Sequence, residues 1–142
     1  MERIKILLPP NLPFTTQLPV RVTDLNYAGH VGNDSFLSLI HEIRLQFFAH
    51  YGYDELNIEG VGTIMADVAM QYRGEVFYPD TLICHAGYGA YGRTGFEVYY
   101  QILSHKSGKE VLKAKTSHVF YDYKLHKMLS VPDAFKRWFA VG

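Results

Sequence analysis

The chain carries a single cysteine, Cys84, so it builds neither an internal disulfide framework nor a cysteine zinc cluster, and a reducing compartment fits. It has no surplus of charge either. Its 14 basic side chains cancel 14 acidic ones, which excludes charge-driven disorder and any broad electrostatic grip on nucleic acid. No uninterrupted apolar run approaches the roughly 20 residues needed to span a bilayer. The apolar stretch near the start, Ile6-Leu7-Leu8, is stopped by Pro9 and Pro10, far short of a signal-peptide core. The expectation is a soluble cytoplasmic protein with no nucleic-acid partner and no membrane partner. Repeats, low-complexity tracts and Ser/Gly linkers are missing, and 142 residues suffice for one domain with a real core but not comfortably for two, so 1–142 reads as a single domain. The histidines fall at no ligand spacing, and no metal is indicated. The glycines of residues 87–92 precede no helix, which excludes a dinucleotide-binding loop.

Aromatic residues are what the sequence has in excess, with 11 Tyr and 9 Phe. They fill a core or line a subunit or ligand surface. Residues 1–14 read as an irregular lead-in, and Thr16 to Thr23 as a strand that Pro19 confines to an edge or bulge. Asp24 to Asp34 is a polar loop with no period. Asn33 or Asp34 can cap a helix from Ser35 to Tyr51 that is apolar over most of its circumference, as enclosed helices are, and Gly52 is a plausible stop. Four alternating segments follow: Thr63 to Arg73, Thr81 to Tyr88, Arg93 to Leu103 and Glu110 to Asp122. In the first, Ile64, Ala66, Val68, Met70 and Tyr72 share a face. The connections are short, which favours antiparallel neighbours. A helix of about 17 residues spans roughly 25 Å and an eleven-residue strand about 36 Å, so one curved antiparallel sheet can wrap one central helix, an α+β arrangement. Met65, Ile83, Tyr99, Leu103, Val119 and Tyr121 fall on the other face, too apolar to be left wholly wet, so at least a dimer is expected. Residues 132–140 read as a short terminal helix.

The order strand, polar loop, apolar helix and four strands carries several short motifs. The loop reads Asp24-Leu25-Asn26-Tyr27-Ala28-Gly29-His30-Val31-Gly32-Asn33, the helix holds Glu42 and Arg44, one strand reads Val68-Ala69-Met70-Gln71-Tyr72-Arg73, and Gly92-Arg93-Thr94-Gly95-Phe96 opens another. Together, over roughly residues 16–122, these resemble the hotdog-fold acyl-CoA thioesterases of the 4-hydroxybenzoyl-CoA thioesterase type. The resemblance implies a hotdog fold, hydrolysis of an acyl-CoA or acyl-carrier-protein thioester, no cofactor beyond the coenzyme A of the substrate, and a homodimer or homotetramer with sites where two subunits meet. It places the substrate carbonyl near the backbone amide of Asn33 and gives Arg93 and Thr94 a role in binding the pantetheine or nucleotide part. One departure matters. Family members commonly carry two aspartates one residue apart, and the second, the usual base or nucleophile, is Asn26 here; an amide takes no proton at neutral pH and is a poor nucleophile. Some hotdog thioesterases, the plant acyl-carrier-protein enzymes among them, also use an asparagine and a histidine in this region.

Hydrolysis of a thioester needs a polarised carbonyl, an activated water and stabilisation of the oxyanion. The free amides at the helix start supply the first and third, with Gly32 allowing close approach to the backbone. His30 or Asp24 would take the proton from water and Asn26 would position it. The candidate catalytic residues are therefore Asp24, Asn26, His30 and Asn33, and the candidate binding residues Gly32, Arg93 and Thr94. Asp24 and Asn26 are also common turn formers, and His118 reads as a hydrogen-bonded core histidine. Phe36, Ile40 and Tyr72 are candidates to line an acyl pocket. Two other functions fit this pattern: an enoyl-thioester hydratase, whose Asp and His stand five positions apart where Asp24 and His30 stand six, and a non-catalytic acyl-thioester-binding protein.

Overall fold

The computed structural model describes residues 1–139. Strand β1 (Phe14–Pro19) leads through a 3-10 turn (Val22–Asp24) and the polar loop into helix α1 (Asn33–His50). Strands β2 (Thr63–Tyr72), β3 (Thr81–Tyr91), β4 (Gly95–Ser104) and β5 (Glu110–Asp122) follow, then the two-residue β6 (Lys127–Met128) and a 3-10 helix (Asp133–Trp138). The sheet is antiparallel, in the order β1-β3-β4-β5-β2, with β6 added to β5. This is the hotdog arrangement that the sequence predicts.

The core forms where the two periodicities meet. From the sheet, Leu82, Cys84 and Ala86, then Phe96, Val98, Tyr100 and Ile102, then Leu112, Ala114 and Phe120 point inward; from α1 come Phe36, Ile40, Ile43, Phe47 and Phe48. Each of these is almost fully buried, and each adds roughly 1 to 3 kcal/mol of burial free energy. Helix α1 stops where expected, with Gly52 in the left-handed region at φ +79°, a conformation that glycine adopts without steric cost. No helix among the described residues is long and apolar enough to cross a membrane.

Several expectations are corrected. Helix α1 begins two residues earlier than predicted, at Asn33, and Gly32 is its N-cap; neither Asn33 nor Asp34 caps it. The helix is not enclosed all round: Leu37, His41 and Leu45 are exposed on one side of it. Strand β2 carries a bulge between Met65 and Asp67. Because the side-chain period of a strand is two, the extra residue flips the faces. Thr63 and Met65 therefore share the inward side with Val68, Met70 and Tyr72, opposite the inward residues Phe120, His118, Thr116, Ala114 and Leu112, while Ile64 points outward. The outer face is also less bare than expected. Ile6 of the lead-in is buried and donates its N–H to Gln71 Oε1 at 3.1 Å, and Asn11 and Pro13 pass close to Gly87. Ile83, Tyr99, Leu103, Val119 and Tyr121 are only partly exposed. Of the predicted terminal helix 132–140, Asp133–Trp138 is a 3-10 helix with Pro132 as its N-cap, and residue 140 lies outside the described residues.

Candidate active site at the start of the central helix

The polar loop folds back on itself and delivers its residues to the helix start. The Asn26 N–H donates to the His30 carbonyl at 2.8 Å, and the Gly32 N–H to the Asp24 carbonyl at 3.0 Å, with Leu25 and Val31 paired between them. Asn26 thus stands opposite His30 and Asp24 opposite Gly32. Outside this turn, Val31 N–H donates to Val76 at 2.9 Å and His30 pairs with Phe77, which anchors the loop to the segment after β2.

Each side chain has a definite situation. The Asp24 carboxylate is nearly buried and spent on Arg21, taking the backbone N–H at 2.8 Å and the guanidinium at 3.1 Å, so it holds the turn. Asn26 Oδ1 accepts from the Ala28 N–H at 2.9 Å, closing a local turn, and its side-chain amide hydrogens meet no acceptor among the described residues. His30 Nδ1 lies 3.1 Å from the Val31 carbonyl, which accepts a hydrogen bond from Nδ1–H, so in the neutral ring Nε2 is the acceptor. Gly32 is buried and caps the helix without a side chain. Among the described residues, the N–H groups of Asn33, Asp34 and Ser35 meet no acceptor, and Asn33 and Asp34 are exposed. An open helix start of this kind concentrates unsatisfied donors and the positive end of the helix dipole.

Two residues here escaped the sequence reading of the loop. Asp34, read as a cap, caps nothing: a Cβ built on Gly32 would meet its Oδ1 at 2.6 Å and Asn26 Cβ at 3.5 Å, so Asn26 and Asp34 flank the same side of the Gly32 backbone. An acidic residue immediately after Asn33, in a loop where Asn26 stands at the position the resemblance gives to an aspartate, was the available signal. Tyr72, expected in an acyl pocket, donates its hydroxyl to the Asn33 carbonyl at 3.1 Å, and burial followed by the Asp34 charge raises its pKa. Phe36 and Ile40 are core residues instead, 2% and 0% exposed.

Arg93 and Thr94 are not brought to this loop. Thr94 and Gly95 pair beside Phe120 and Val119, at the end of the sheet where Thr63 begins β2, whereas Asn33 meets Tyr72 at the strand's other end. A helix length separates them within one chain. At the Tyr72 end lies instead a cavity of about 510 Å³ whose lining includes Arg73, Lys106 and Lys109 alongside Glu75, Asp80 and Glu110. Arg73 pairs with Glu110 at 3.4 Å; Lys106 and Lys109 are in no ion pair among the described residues. No group of three potential metal ligands occurs among the described residues.

A family model of the thioesterase-like superfamily matches residues 20–139. The chain belongs to that superfamily. Among solved structures, it is similar to a 1,4-dihydroxy-2-naphthoyl-CoA thioesterase from Synechocystis (21% identity, 87% of this chain and 92% of that one, TM-score 0.78). It is also similar to a thioesterase from Thermus thermophilus complexed with coenzyme A and Zn (19% identity, 90% and 98%, TM-score 0.76). A DHNA-CoA thioesterase from Staphylococcus aureus shares 18% identity over 88% of this chain and 82% of its own, with a TM-score of 0.74. At these identities the likeness establishes the hotdog fold. No curated protein matches the chain.

Proposed function

We propose that the protein hydrolyses acyl-CoA thioesters at the start of α1. The observation that carries this reading is the set of bare helix N–H groups at Asn33 to Ser35, exposed beside His30 and Asn26 and over the small Gly32. The thioester carbonyl rests against the Asn33 amide. His30 Nε2 takes a proton as water attacks the carbonyl carbon, the amides hold the oxyanion, and collapse expels the coenzyme A thiolate, which the imidazolium protonates. Asn26 positions the water through its side-chain amide hydrogens, and Asp24 fixes the turn. Lys106 and Lys109 offer point charges to the coenzyme phosphates next to the segment that anchors His30. The exposed edge of β2, with Ile64, Met65, Val68 and Tyr72, supports pairing with a second copy, and Arg93 and Thr94 reach a site only from such a copy. The hydratase reading loses support, because its acid would be Asp24, which is bound to Arg21.

Thiol release from a panel of acyl-CoAs tests this directly. Cys84 is wholly buried and burial pushes its thiol up to about 12, so it does not consume the thiol reagent in the native protein. His30→Ala is expected to lower kcat by about 10²- to 10⁴-fold, and Asn26→Asp to be tolerated or activating. Asp34→Asn discriminates the base: a loss as large as that of His30→Ala would move the proton acceptor to Asp34. Binding of acyl-CoA with no turnover of any member would make the protein an acyl-thioester binder.

A further inference from the structure

The last residues of β2 are gripped from both faces of the sheet. On the inner face the Tyr72 ring lies 5.9 Å from that of buried Phe36, and its hydroxyl donates to the Asn33 carbonyl at 3.1 Å. The lead-in grips the outer face. A Cβ on Gly87 of β3 would meet the Asn11 carbonyl oxygen and Pro13 at 3.0 Å, so this part of the chain lies directly on the sheet. Residues 8–12 then share a small cavity with His85 and Gln101, and buried Ile6 donates its N–H to Gln71 Oε1 at 3.1 Å. His85, Gln101, Lys113 and Gln71 are successive partners on one row across β3, β4, β5 and β2. The three gaps between these strands add to about 14 Å, which six extended residues cover. The lead-in is therefore a strap that reaches the residue next to Tyr72.

Of the long strands, β2 has the least support of its own. It is an edge strand, bonded within the chain on one side only, and it is bulged between Met65 and Asp67. A second copy paired on its free edge would join its backbone, whereas the strap holds the outward side chain of Gln71, so the two do not compete.

What Tyr72 holds is a working part of the helix start. The Asn33 carbonyl and the Asp34 N–H belong to one planar peptide unit, with oxygen and hydrogen on opposite sides. Fixing the oxygen fixes the direction of that N–H, which meets no acceptor among the described residues. A hydrogen bond accepted by the oxygen also polarises the unit, and bonds linked in this way strengthen one another by roughly 10 to 30%. Burial, then the Asp34 charge, raise the Tyr72 pKa, so the hydroxyl keeps its proton and stays a donor near neutral pH.

Building on the thioesterase reading, we propose that Tyr72 is a positioning residue for hydrolysis: through the Asn33 carbonyl it aims and strengthens the Asp34 N–H for the thioester oxyanion, and the lead-in strap holds β2 in place for it. Charge on the oxygen grows between the bound thioester and the tetrahedral intermediate, so the effect falls on turnover more than on binding.

The test is Tyr72→Phe, which keeps the ring on Phe36 and removes only the hydroxyl. With an acyl-CoA that the protein turns over, kcat is expected to fall about 5- to 20-fold while KM stays within about twofold and the urea midpoint stays at the wild-type value. A thioether analogue of the same acyl-CoA, which has no carbonyl to become an oxyanion, is expected to bind both proteins alike. Gln71→Met, on the outer face, is the second variant. Loss of the strap's acceptor is expected to lower kcat about 2- to 5-fold in the wild type and to leave it unchanged in the Tyr72→Phe protein, because both changes act through one hydroxyl. Wild-type kcat in Tyr72→Phe overturns the proposal and leaves thioester hydrolysis standing. A loss that comes with a lowered urea midpoint or with weaker binding of the thioether, or a Gln71→Met effect of equal size in both backgrounds, also overturns it. A chain that hydrolyses no thioester at all overturns both readings.

Discussion

The two ends of α1 are built from opposite materials. At its C-terminal end the helix runs into rings: Tyr51 lies 4.6 Å from Trp138, Phe47 4.7 Å from Tyr88, Tyr88 4.8 Å from Phe139, and Phe135 4.8 Å from Phe96. So dry is this end that the Tyr88 hydroxyl is buried with no hydrogen-bond partner among the described residues, and burial drives its pKa far above the usual range. At its N-terminal end the backbone donors receive no side-chain cap among the described residues, and the neighbouring residues are Asn26, His30, Asn33 and Asp34. One end holds the helix in the fold and the other leaves its polar groups exposed. The comparison predicts that stability and activity respond separately to substitutions at the two ends.

The strongest break is Phe135→Ala. Phe135 is fully buried among Tyr53, Tyr88, Phe96, Phe120 and Phe139, and its loss is expected to cost about 3 to 5 kcal/mol in urea unfolding while activity per folded molecule holds. His30→Ala should do the reverse, leaving the unfolding midpoint nearly unchanged while turnover falls. A His30→Ala protein as unstable as Phe135→Ala would erase the distinction between the ends.

The same dry interior predicts a pH response. Burial, then the Arg44 and His41 charges, lower the His118 pKa from 6.5 to about 3, and its ring is stacked on Phe96 at 5.3 Å. The folded state therefore refuses a proton that the unfolded chain accepts. Stability from this group is complete above pH 6.5 and is lost as pH falls from 6.5 toward 3, at up to about 1.4 kcal/mol per pH unit, or about 2 kcal/mol by about pH 5. Urea midpoints at about pH 7 and about pH 5 check it: the gap between wild type and His118→Gln should narrow at the lower pH, and parallel curves would count against the assignment.

Much of the interior was legible in the sequence because its signals are local and periodic. Glu110–Asp122 is observed with the predicted bounds, and Phe96, Val98, Tyr100 and Ile102 are buried as their alternation predicts. The edge strand was not legible in the same way. Nothing in Thr63-Ile64-Met65-Ala66-Asp67 marks the bulge that turns Met65 inward, since the cause is pairing with β5. Glu55, which accepts from Arg44, is 11 residues from it in the chain, and only the tertiary fold joins them. At the loop, the bonds did not follow from residue type: Asp24 and Asp34 are both acids, one tied to Arg21 and the other exposed.

The smallest expected effect on folding is also the sharpest test of the open end. Gly32 sits at φ −73°, a backbone conformation open to any residue, so Gly32→Ala incurs no left-handed strain. Its added methyl would meet Asp34 Oδ1 at 2.6 Å, but that atom is the end of an exposed side chain that can swing away, whereas Asn26 Cβ stays at an ordinary 3.5 Å. Stability should therefore change by less than about 1 kcal/mol. Activity should fall by more, because the methyl stands over the backbone that a thioester carbonyl must approach, and the fall should appear in kcat if the helix amides act on the oxyanion more than on the bound substrate. An unchanged kcat with an unchanged midpoint would mean that the carbonyl never comes near this backbone, and the bare amides of α1 would be an ordinary solvated helix start.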